Sequence, residues 1–102
     1  MKKKSLEAAV IRQAAAILKA IGHPVRLRII ECLDQCPGSS VTNLLEKIRV
    51  PQAELSKHLA FLRSHGILKS ETRGNFRIYS IAYPGVIHVL DCIRNHHKTQ
   101  GG

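Results

Sequence analysis

Apolar residues recur at helical intervals along most of this 102-residue chain, and the interval changes once, past Gly66. Over 6–21, Leu6, Val10, Ala14, Ile17, Leu18 and Ile21 share one face of a predicted helix that Gly22 ends. His23-Pro24 restarts the chain, since proline is tolerated at a first helical position, and Leu27, Ile30 and Leu33, with Ile29 beside them, mark a second helix. Cys36-Pro37-Gly38-Ser39 closes it as a loop.

Ser40 can cap a third helix through its hydroxyl, with Val41, Leu44, Leu45 and Ile48 as the buried stripe. Arg49-Val50 reads as a turn, Pro51 starts a fourth helix with Leu55, Leu59 and Leu62 facing inward, and Gly66 suits the left-handed terminator. From there, 67–72 and 76–81 nearly alternate around Arg73-Gly74-Asn75, which predicts a β-hairpin. Pro84 opens a last helix with Val86, Val89, Leu90 and Ile93 inward, and residues 1–4 and 96–102 are expected to fray. No repeat or low-complexity linker divides the chain, so 1–102 reads as one domain. The fold expected is mainly α with a small β-hairpin, in the order α-α-α-α-β-β-α: a winged helix-turn-helix.

Charge narrows the partners. Sixteen Lys and Arg against seven Asp and Glu give a net charge of +9 and a pI near 10.0, a field that attracts polyanions before contact. No apolar run approaches a membrane span, and three cysteines without a signal-type segment predict a cytoplasmic chain with reduced thiols. A cysteine–histidine nucleophile would be the one enzymatic option, but no Gly-rich phosphate loop or paired carboxylates accompany it.

The segment 40–68, SVTNLLEKIRVPQAELSKHLAFLRSHGIL, carries the candidate site. A helix about 10–12 Å across fits the major groove, where base edges present distinguishable donors and acceptors. Projection of the fourth helix groups Ala53, Lys57, Ala60 and Ser64 opposite the leucines, flanked by Gln52, Ser56 and Arg63. Gln52 can pair with adenine in bidentate fashion and Lys57 can reach guanine or phosphate, with Ser56 a weaker reader. His58 projects nearer the Leu55 row, where a hydrogen-bonded structural histidine competes with a base reader. At the hairpin tip, Arg73, Asn75 and Arg77 suit phosphates or a narrow minor groove. A solvated helix face and a solvated turn explain any one of these residues, but not their combination.

Three stretches, LKAIGHPVRLRIIECL, PQAELSKHLAFLRSHGIL and RGNFRIYSI, resemble the ArsR/SmtB family of winged-helix repressors from residue 17 to about 94. The resemblance implies a homodimer paired through its first and last helices, which binds an inverted-repeat operator and leaves it when an inducer binds. It places the family's reading positions on Gln52, Ser56 and His58, and its wing arginine on Arg73 or Arg77. The alternative is a winged-helix module that binds protein or RNA and has no inducer.

Family sensors differ in where the inducer sits. The Cys-Val-Cys metal stretch of one branch is Ser40-Val41-Thr42 here, which removes those ligands and leaves Thr42 as a phosphate contact. The last-helix Asp-x-His pattern of the zinc branch is Val86-Ile87-His88, with Thr99 in the later histidine's place. Cys32 and Cys92 are similar in kind to the thiol pair of the sulfide-sensing branch, though both are displaced from its usual places. Two local sets remain: Cys32, Cys36 and Cys92 as a thiol or As(III) site, and His88, Cys92 and His96, spaced by four, as a metal site. No cofactor is required on this reading; the metal ion or metalloid would be an inducer. The cysteines serve equally well as small apolar filler.

Overall fold

The computed structural model describes residues 3–100, with side chains through residue 96. Its elements are α1 (Ala8–Ile21), α2 (Pro24–Gln35), β1 (Ser39–Ser40), α3 (Val41–Lys47), α4 (Gln52–Ser64), β2 (Leu68–Arg73), β3 (Phe76–Ile81) and α5 (Gly85–Gln100). Five helices are joined by a small antiparallel sheet of order β1-β3-β2. The winged helix-turn-helix expected from the sequence is present.

Local chemistry fixes the ends of the central helices. The Ser40 hydroxyl accepts from the Asn43 backbone N–H at 3.2 Å while the Asn43 side-chain Oδ1 accepts from the Ser40 backbone N–H, a reciprocal cap that starts α3. Pro51 turns out to be the residue before α4, which begins at Gln52 with no side-chain cap. At the other end Gly66 has φ +73°, the Ile67 amide donates to the Leu62 carbonyl and the Gly66 amide to that of Arg63. That paired return satisfies two carbonyls α4 would otherwise orphan and turns the chain straight into β2. In the hairpin, Gly74 has φ +61° and Asn75 a negative φ, the two-residue turn with glycine first that matches the twist of paired strands.

The core gathers Ile29, Ile30 and Leu33 of α2, Leu44 of α3, Leu55, Leu59 and Leu62 of α4, Ile67 and Leu68 at the wing's root, and Val86 of α5. Arg94 ties α5 to α2 by bonding Asp34 at 3.0 Å, and it also holds Asp91 at 2.9 Å.

Three expectations change. Ser39 and Ser40, read as loop and cap, also pair with Tyr79 and Ile78 as a third strand. The tail expected to fray from residue 96 instead continues α5 through Gln100, because no helix breaker stands before Gly101. Of the other predicted frayed ends, Lys3 and Lys4 are exposed and precede α1 outside any element, and Met1, Lys2, Gly101 and Gly102 lie outside the described residues. Finally, α1 starts at Ala8, and its apolar row is not buried in its own chain: Ile17 is half-buried, Ala20 and Ile21 are buried, and Leu6, Val10, Ile11 and Leu18 are exposed.

Candidate nucleic-acid interface

The outer face of α4 presents Gln52, Ala53, Ser56, Lys57, Ala60 and Arg63, all exposed, directly behind the leucine row that anchors the helix. Two alanines let the backbone approach a partner closely, and the uncapped first turn leaves amide donors at the positive end of the helix dipole. Thr42 is exposed in the first turn of α3, and Arg49 is exposed in the turn between the helices. The wing adds Lys69, Arg73, Asn75 and Arg77, also exposed.

The wing is coupled to the helix. Arg63 at the end of α4 and Arg77 of β3 both donate to the Ser70 hydroxyl of β2, at 3.3 Å and 3.2 Å. Two guanidinium groups thereby converge on one neutral oxygen, leaving their positive charge for an outside anion. Arg73 is held by Glu71 at 2.6 Å. Sequence reasoning found the arginines but not Ser70, which has no periodic or compositional signal.

His58 does not join this face. Its ring is buried at 8% exposure, its Nδ1 accepts from Arg26 Nε at 3.2 Å, its Nε2 lies 3.7 Å from Glu54, and the His23 ring is 4.5 Å away. The base-reading role that the resemblance places on His58 is therefore corrected: the imidazole is sequestered between α2 and α4. Arg26 organises this corner, donating also to the Ala20 carbonyl at 3.1 Å and stacking 3.6 Å over the Phe61 ring. It joins the end of α1 to α2 and α4, a role no spacing in the sequence announces.

Burial holds the His58 imidazole below its usual 6.5, reinforced by the charges of His23 and Arg26 and opposed by Glu54. A histidine whose folded pKa is depressed contributes its full stability above about pH 6.5, and that stability is lost as pH falls from there through the folded value. Thermal midpoints measured from pH 7.5 to 5 are expected to fall more steeply for the parent than for His58→Gln, which keeps an acceptor for Arg26 but does not titrate. Parallel slopes would assign the acid sensitivity to other groups.

The proposed sensing residues do not converge. Among the described residues no three His, Cys, Asp or Glu side chains are grouped to hold a metal, so neither His88, Cys92 and His96 nor the three cysteines close a site within one chain. Spacing by four puts side chains on one face, but a helix face is convex and its exposed ligands diverge. Cys32 is buried and burial pushes its thiol up, with Lys47 opposing, so it sits protonated in the core. Cys36 and Cys92 are exposed, and the Cys36 sulfur accepts from Lys47 Nζ at 3.2 Å.

Comparison with known proteins follows the same geometry. Residues 21–71 match a family described as a helix-turn-helix domain, the span from the end of α1 into β2. The chain is 35% identical over 83 residues to the HTH-type transcriptional regulator YgaV of Escherichia coli, covering 81% of this chain and 84% of that protein. It is 31% identical over 85 residues to the HTH-type transcriptional repressor SmtB of Mycobacterium tuberculosis, covering 82% and 62%. The chain belongs to the ArsR/SmtB family of helix-turn-helix transcriptional regulators. The crystal structure of the transcriptional repressor PagR of Bacillus anthracis superposes with a TM-score of 0.78 at 30% identity, covering 85% of this chain and 99% of that one. Such proteins are DNA-binding regulators rather than enzymes. No helix among the described residues is long and apolar enough to cross a membrane.

Proposed function

We propose that this chain is a homodimeric transcriptional repressor that reads an inverted-repeat operator through α4 and is released by a small thiol-reactive or metal inducer. The observation that carries the reading is the pairing of an exposed polar face on α4 with a basic wing that shares Ser70 with it. Gln52, at the start of α4, reads a base edge, and Lys57, one turn on, contacts guanine or phosphate. Thr42, Arg63, Arg73, Asn75 and Arg77 hold phosphates on either side, fixing the register from which Gln52 and Ser56 read. In a two-fold dimer the two α4 helices address half-sites about one helical turn apart.

Release is assigned to the thiols at the α2 end and on α5. Cys36 and Cys92 are accessible to a reagent or metal, whereas Cys32 becomes reactive only as α2 loosens. Modification there biases the dimer geometry that spaces the two reading helices. A shared site would draw its ligands from both chains, because one chain does not group three.

Selection of bound duplexes from random DNA tests both halves of the reading. The parent is expected to enrich an inverted repeat and to show a salt slope of about −0.9 per phosphate neutralised. Gln52→Ala is expected to relax selection at one base pair per half-site. Polysulfide, As(III) or Zn(II) is expected to release the parent but not the Cys32, Cys36 and Cys92 serine variants. A flat salt slope or no inverted repeat favours the protein- or RNA-binding module; release that survives all three serines removes the thiol switch.

A further inference from the structure

Seven large apolar side chains are exposed among the described residues, and six of them, Leu6, Val10, Ile11, Leu18, Tyr83 and Ile93, lie on or beside the first and last helices. The seventh, Phe76, stands apart at the wing and is 58% exposed. Its register partner is Arg73, so these two residues flank the Gly74-Asn75 turn and direct their side chains to the same sheet face. Glu71, further from the tip on that face, holds the Arg73 guanidinium at 2.6 Å. The ring makes no stacking or cation–π contact with a described residue.

A single exposed apolar residue is ordinary on a protein surface. This one ends a tight two-residue turn, with Arg73 paired across from it on the same face and Arg77, next in the chain, on the opposite face of the same hairpin. A protein partner that buried the ring would have to desolvate those charges as well, whereas the walls of a DNA groove are lined with phosphates that match them. Arginines favour a narrow minor groove, and apolar side chains presented there by other proteins push between base steps and kink the duplex.

We infer that Phe76 is a minor-groove wedge: as α4 occupies the major groove, the wing carries the ring against a neighbouring base step, partly unstacks it and bends the operator. This rests on the DNA-binding reading above and adds to it deformation of the DNA, so that flexible pyrimidine–purine steps under the wing contribute to operator choice without a hydrogen bond to any base.

The test uses the full chain and a duplex selected by the parent, carrying a donor–acceptor dye pair at its ends and 2-aminopurine at the steps flanking each half-site. Parent binding is expected to shorten the end-to-end distance and brighten 2-aminopurine. Phe76→Ala is expected to lose both signals and to bind about five- to hundredfold more weakly, the worth of one aromatic–base stack. Phe76→Leu, which retains an apolar wedge, is expected to recover most of the bend. Because the ring is exposed, circular dichroism of both variants should match the parent. If Phe76→Ala binds and bends DNA like the parent, or if the parent gives neither signal on binding, the wedge is overturned and the DNA reading stands. A parent that binds no duplex overturns both.

Discussion

Ile11→Glu combined with Leu18→Glu is expected to leave each chain folded while converting the proposed homodimer to a monomer and weakening operator binding about 100- to 10,000-fold. The magnitude follows from losing the second half-site, since tethering two modules raises avidity by about that factor without any new contact. The premise comes from α1. Its 14 residues make a rod about 21 Å long, yet only Ile17, Ala20 and Ile21 at its C-terminal end pack against the rest of the chain. Leu6 at 64%, Ile11 at 52% and Leu18 at 54% exposure form an uncovered apolar stripe on it or just before it, and Ile93 on α5 is 51% exposed.

A helix this short is marginal alone in water, and its first turns have almost no cover from their own chain. In the proposed dimer a second copy would supply the cover by two-fold symmetry, placing each substituted carboxylate in an apolar seam where desolvation opposes it. Sedimentation at micromolar concentration measures the assembly and titration of a selected duplex measures affinity. A monomeric parent, or a double glutamate variant that stays dimeric, would sink the assignment of α1 to the interface.

The helix-turn-helix and the wing were legible in the sequence because each boundary is set by local chemistry. Ser40 with Asn43 starts α3, Gly66 ends α4 in the left-handed region, and Gly74 permits the hairpin turn. The outward face of α4 followed from periodicity alone. Contacts between distant segments were not legible. Periodicity did place His58 beside the Leu55 row as a structural histidine, against the base-reading role the resemblance gives it, but its partner Arg26, 32 residues away in the chain, had no signal. β1 is two residues long, below the length at which alternation gives a signal. The spacing of His88, Cys92 and His96 places three exposed residues along α5, whereas Cys36 lies just past the end of α2 and is exposed while Cys32 is buried; spacing along one helix says nothing about convergence on a metal.

Leu59→Ala and Lys57→Ala, two residues apart on α4, are expected to separate the two jobs of this helix. Leu59 is fully buried in the row that packs α4 against the core, and truncating such a leucine costs about 2–5 kcal/mol. Against a total stability of about 5–15 kcal/mol, that removes a large share of what keeps the domain folded. The thermal midpoint should drop by about 4–8 °C for each kcal/mol lost in a domain of this size. Lys57 is exposed and forms no ion pair with a described residue, so its truncation should change stability by no more than about 0.5 kcal/mol. Its effect should fall on DNA affinity: equal weakening on all sequences marks a phosphate contact, and weakening at one base pair marks a reader. Unfolding must be compared at one protein concentration, because dimerisation adds to apparent stability by mass action. A stability loss for Lys57→Ala comparable to that for Leu59→Ala would mean that the outward face of α4 is packed against protein, and the helix would no longer be free to enter a groove.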